Sequence, residues 1–120
     1  MSLAHALGAA RRETPGCRAA GYVDLRTRMT LLFDADGRTP RERVDAFGRA
    51  VAALLRLPGT GGEPVAQAFA AGPGEVLAAF RPAGRPGYGA FFVLDPSEGL
   101  SPGGGSAAVL AALGDRADRL

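Results

Sequence analysis

The chain has 120 residues, 47% apolar and 22% charged, with a formal net charge of +2. That is the balance of a single soluble globular domain spanning residues 1–120, able to bury roughly two thirds of its unfolded surface. No apolar run approaches the roughly 18 residues that a membrane span needs, and the lone Cys17 excludes an internal disulfide framework and suits a reducing cytoplasm. The pI of 9.3 does not mark a nucleic-acid binder. Every basic residue is Arg, while Lys, Ile and Asn are absent, which is what GC-rich codons produce. Arg and acidic residues also interleave along the chain, as in "RERVDAFGR", where nucleic-acid binders gather positive charge on one face.

"SLAHALGAAR" predicts a short first helix, with Ser2 as cap and Leu3, Leu7 and Ala10 on one stripe, ended by "ETPG". The segment "MSLAHALGAARRE" lacks a basic n-region, so no export signal is expected. The period then changes to two. "CRAAGYVDL" sets Cys17, Ala19, Gly21, Val23 and Leu25 against Ala20 and Tyr22, and "RMTLLFD" sets Met29, Leu31 and Phe33 against Thr30 and Leu32. The pair reads as a hairpin turning near Arg26-Thr27. A capped helix follows over "TPRERVDAFGRAVAALLRLPG", with Thr39 as N-cap, Pro40 at the first helical position, Glu42 closing a capping box and Pro58-Gly59 beyond its end.

After a "GTGGEP" connector come three strand-like runs, "PVAQAFAAG", "EVLAAFR" and "YGAFFVLDP", then "SPGGGS" and a last helix, "AAVLAALGDRADRL", with Val109, Leu110, Leu113, Ala117 and Leu120 at helical spacing. Neither face of the strands is cleanly polar, so both sheet faces should be covered. The expected fold is α+β: a three-layer α/β/α sandwich, in which a five-stranded, mostly antiparallel sheet carries the central helix on one face and the terminal helices on the other.

Catalytic apparatus is not legible. His5 is the only histidine, and Cys17 has neither a CxxC partner nor a basic cluster beside it in sequence. A metal site lacks ligands. "DADG" fails as a calcium loop, because Leu32 and Arg43 would stand at the first and last ligand positions; "PGTGGEP" has no following Lys, as a phosphate loop requires. Asp24, Asp34, Asp36, Asp95 and Glu98 fall at strand ends, where solvated turn residues belong, and "SPGGGS" offers glycines without the rest of an anion-binding signature. No catalytic residue, cofactor or metal is expected, and the chain does not read as an enzyme.

The central helix carries the one informative surface. On a helical wheel Val44, Phe47, Val51, Leu54 and Leu55 gather toward the sheet, while Glu42, Ala46, Arg49, Ala53 and Arg56 face away and Arg41, Asp45, Gly48 and Ala52 lie on the flank. Small residues on the second face let another backbone approach, with Arg and Asp free to pair across an interface. Equally, Ala is a good helix former in an Ala-rich protein.

These segments together resemble the Roadblock family of dynein light chains and their bacterial relatives: "TPGCRAAGYVDLRTRMTLLF" after a Pro-Gly, the helix "VDAFGRAVAALL", the strands "VAQAFAAGPGEVLAAF" and "GYGAFFVLDP", and a closing helix. The family usually has Gly near the position of Arg28, and its polar-aromatic pattern is thin in the third strand here. The resemblance implies a non-catalytic homodimer built on the central helix and the edge strand after it, which binds or regulates a small Ras-like GTPase or serves as an assembly subunit; the lone cysteine already points to the cytoplasm. Carried onto this chain, the dimer surface would be Asp45, Ala46, Arg49, Ala52, Ala53 and Arg56 with Gln67 and Phe69. The alternative is a small-molecule sensor of PAS or GAF type.

Overall fold

The computed structural model describes residues 2–96 and 106–120. Helix α1 spans Leu3–Glu13 and starts where expected, with the Ser2 hydroxyl accepting from the His5 backbone N–H at 3.1 Å. Leu7 and Ala10 turn inward. The Thr14 hydroxyl closes its far end on the Ala10 carbonyl at 2.7 Å, and Gly16, in a left-handed conformation, turns the chain into β1.

Strands β1 (Cys17–Asp24) and β2 (Met29–Ala35) form the expected hairpin. Its turn is held by the Asp24 carboxylate, which accepts from the N–H groups of Arg26 and Thr27. Helix α2 (Arg41–Leu54) crosses to β3 (Gln67–Gly72), followed by β4 (Glu75–Phe80), β5 (Tyr88–Leu94) and α3 (Ser106–Asp118). The sheet order is β2-β1-β5-β4-β3, every pairing antiparallel. β2 and β3 are therefore the two edges, and α2 joins them across one face. This is the three-layer sandwich read from the sequence.

Two cores sit on opposite faces. Leu7, Tyr22, Phe80, Phe92, Leu94, Leu113 and Ala117 fill the side of α1 and α3; Val23, Val44, Val51, Leu55, Leu77, Phe91 and Val93 fill the side of α2. Each fully buried Phe or Leu contributes about 1.5–3 kcal/mol by removing apolar surface from water. Gly21 makes room for one of them, since a Cβ there would stand 2.2 Å from the Phe91 ring.

Two sequence readings need correction. Thr39 does not cap α2: its hydroxyl donates to the Asp36 carboxylate at 2.7 Å, and the extended Pro40 stands at the cap position with no side-chain cap. Cys17 does not share a face with Ala19, because the β1–β5 register slips between them and turns Cys17 toward the α1 and α3 side. The readings of "SPGGGS", Glu98, Val109 and Leu110 fall outside the described residues and side chains.

Candidate functional site

The cysteine is buried, and several arginines and carboxylates among the described residues are paired with one another. Among the described residues no three His, Cys, Asp or Glu side chains gather as a metal site would require. Cys17 is buried, and desolvation pushes its thiol up to about 11, which keeps it protonated and unreactive near neutral pH. The His5 side chain is exposed on α1. A polar cleft of about 560 Å³ opens at one end of the sheet, but Arg11, Arg18 and Arg43 in and around it are paired with Asp34, Asp95 and Glu75. Asp36 there accepts from the Thr39 hydroxyl and the Arg38 N–H; the Thr39 bond is the main cause that lowers its pKa.

The surface of α2 divides into three parts. Arg41, Asp45 and Arg49 face β2, where they line a groove of about 400 Å³ with Thr27 to Thr30, and Arg56 on the same flank reaches the Leu25 carbonyl at 3.4 Å. Arg43, Phe47, Ala50 and Leu54 form the opposite flank, with Arg43 paired to Glu75 at the start of β4 and Phe47 against Phe91. Ala46 and Ala53 point outward between the two flanks and are exposed. The inward side leaves no room for larger residues: Ala52 is fully buried, and a Cβ on Gly48 would stand 2.2 Å from the Thr30 hydroxyl. The backbone that these small residues admit is the chain's own sheet. Ala52 is thus a core residue and not part of an outer surface.

The two sheet edges differ in kind. β3 pairs with β4 in unbroken register, carries no charge and no Pro, and is exposed along almost its whole length on both faces. Cross-strand partners share a face, so Gln67, Phe69 and Ala71 lie on the α1 and α3 side opposite Phe80, Ala78 and Val76, while Ala68 and Ala70 lie on the α2 side opposite Ala79 and Leu77. Phe69 is 59% exposed. At the other edge, β2 is bulged: the β1–β2 register shifts so that Leu31 is an extra residue opposite the Tyr22–Val23 step.

This arrangement of layers and strands matches solved structures across almost its full length. A Roadblock/LC7 domain from Streptomyces avermitilis superposes with a TM-score of 0.74 at 10% identity, over 99% of this chain and 94% of that one. The chain has the Roadblock fold. An MglB solved in a tetrameric arrangement gives 0.69 at 22% identity, over 95% of this chain and 80% of that one. MglC from Myxococcus xanthus gives 0.65 at 13%, over 99% and 96%. No protein-family model matches the sequence, and no curated protein sequence does.

Within this Roadblock fold the residues read from the sequence do not form one patch. Ala46 and Ala53 crown α2; Asp45, Arg49 and Arg56 lean toward β2; Gln67 and Phe69 stand on the far face of the opposite edge. On the α2 side the flank turned toward β4 carries Phe47, Ala50 and Leu54, and β3 presents Ala68 and Ala70 on the same sheet face, residues which sequence reasoning placed in the core or passed over. The alternation in "QAFAAG" separates the two faces of β3, but choosing the α2 flank beside it requires the strand order. The exposed Met29, Leu31 and Leu32 of β2 were also missed.

Proposed function

We propose that this chain is a non-catalytic interaction module that pairs with a second copy of itself through β3 and the neighbouring flank and crown of α2. The observation that carries the proposal is the smooth, uncharged, exposed β3 edge. An unprotected edge of this kind templates strand addition, and proteins that keep it unpaired blunt it with charge, Pro or a bulge. This chain does so at β2 and not at β3. Antiparallel β3–β3 pairing would make one sheet continuous across two protomers. Ala68 and Ala70 are small enough to let the partner's α2 settle beside Ala46, Ala50 and Ala53. The tetrameric arrangement of the structurally similar MglB supports self-association. The resemblance to the family extends the proposal to its role: the dimer binds or regulates a small Ras-like GTPase, or serves as an assembly subunit.

Light scattering on the wild type and on Ala53→Glu, Ala70→Glu and Arg49→Glu variants tests this. The wild type should run at twice the 12.2 kDa chain mass. Ala53→Glu and Ala70→Glu should run as monomers, since each buries an unpaired carboxylate in the joint, while Arg49→Glu on the β2 flank should remain a dimer. A monomeric wild type, or a dimer indifferent to Ala70→Glu, overturns the pairing. Thermal stabilisation by a GTP-loaded Ras-like GTPase, absent with its GDP form, tests the partner.

A further inference from the structure

We propose that the groove between β2 and α2 is a docking site for a short acidic segment of another protein that presents an apolar anchor side chain. The site goes beyond the self-association surface and lies at the opposite edge of the sheet. Its charge is the first reason. Arg28, Arg41 and Arg49 line the groove against the single carboxylate of Asp45. Arg41 lies 3.8 Å from Asp45, and neither Arg28 nor Arg49 has an ion-pair partner among the described residues. Two guanidinium groups stand ready to take carboxylates in forked hydrogen bonds.

Apolar surface is the second reason. Met29, which lines the groove beside the arginines, is 62% exposed, on a strand whose neighbour β1 is almost entirely buried. A single exposed apolar residue is ordinary by itself, but here it stands in the wall of a groove that the arginines share, where it offers an incoming side chain an apolar contact. Met29 is unbranched and polarisable, so it can shape itself to an incoming side chain.

Arg28 supplies the third. Its φ is 64°, the one non-glycine residue at positive φ among those described. A side chain in that conformation costs about 1–2 kcal/mol that glycine would not incur. The hairpin itself needs only the backbone, since the Arg28 N–H donates to the Asp24 carbonyl at 2.8 Å. What the arginine adds is a cation at the mouth of the groove.

The bulge at Leu31 selects how the occupant is held. It breaks the regular outer ladder of β2, so the segment is gripped by its side chains and not added as another strand. The concave shape and the presence of Asp45 favour separated carboxylates over the continuous phosphate array of a membrane or nucleic acid.

The test is fluorescence anisotropy on the full chain with a fluorescein-labelled peptide in which a Leu-Phe pair is flanked on both sides by Asp and Glu. Two control peptides replace every acid by Lys, or the Leu-Phe pair by Ser. The acidic peptide should bind and both controls should not. The Arg28→Glu/Arg49→Glu double variant should weaken binding by about tenfold or more, Met29→Ser should weaken it less, and Arg28→Lys, which keeps the charge but loses the fork, should weaken it by less than the double variant. Circular dichroism checks that each variant is folded. The Ala70→Glu variant, which addresses self-association alone, should bind the peptide like wild type, so failure of one proposal is distinguishable from failure of the other. Absence of binding, equal binding of the Lys peptide, or indifference to the double variant overturns the site. Tighter association with phosphatidylglycerol vesicles or duplex DNA than with the peptide does so as well.

Discussion

At Gly48 α2 packs closely on the sheet, and a pair of substitutions there puts the packing to a numerical test. Replacing a mid-helix Gly by Ala gains about 1 kcal/mol from helix propensity alone. Here the new Cβ would stand 2.2 Å from the Thr30 hydroxyl, with the Thr30 Cβ behind it at 3.5 Å. Threonine is stiff at χ1, so relief requires an unfavourable rotamer or a lifting of the helix, at about 2 kcal/mol. Gly48→Ala alone should therefore destabilise the protein by about 1 kcal/mol. The Thr30 hydroxyl is buried without a hydrogen-bond partner among the described residues, so Thr30→Ala removes an unsatisfied group and should change stability by less than about 1 kcal/mol. With the hydroxyl gone the new methyl meets only ordinary contacts. The double variant should exceed wild type by about 1 kcal/mol, a coupling of about 2 kcal/mol between the sites. Urea denaturation at one fixed protein concentration measures all four corners of the cycle. A stabilising Gly48→Ala, or additive effects, would refute the close approach.

Three further outcomes follow from the geometry. Arg81 donates to the Leu55 carbonyl at the end of α2, at 2.7 Å, and to the Pro86 carbonyl at 2.5 Å; Arg81→Met should cost about 1–3 kcal/mol in the same denaturation assay. Arg28→Gly should raise stability by about 1 kcal/mol, or a melting temperature by about 3–5 °C, while weakening the acidic peptide. Burial raises the Cys17 thiol to about 11 from 9.0, so between those values the folded chain holds a proton that the unfolded chain has lost. Stability should fall as pH rises through that window, by up to about 1.4 kcal/mol per pH unit, and Cys17→Ala should remove that part of the slope.

The element order and the hairpin turn were legible because period-two and helical spacing survive in the sequence, and because Ser2, Asp24 and Gly16 carry local turn chemistry. The Thr39 cap was misread because a competing acceptor, Asp36, lies three residues upstream and takes the hydroxyl. Cys17 was assigned to the wrong face by an irregularity in pairing that alternation cannot reveal. The surface of α2 was legible only as a ring of small and charged residues. Gly48 and Ala52 looked like room for a partner, whereas their smallness serves the approach of β2 and β1. Which flank of α2 is turned toward the β4 and β3 side depends on the order in which strands lie side by side, and no local pattern encodes that. Arg28 showed in the sequence as a departure from a glycine; its left-handed backbone is what gives the departure meaning.

The contrast between the two edge strands also limits how large an assembly the sheet can build. A sheet with a regular ladder on the β3 border and a bulged one on the β2 border is monovalent for strand addition: were two smooth borders to meet about a two-fold axis, only bulged borders would remain at the ends. In the dimer proposed above, growth by strand addition would terminate at that point, so the same contrast between the edges of the five-stranded sheet would guard the protein against polymerising into a fibre.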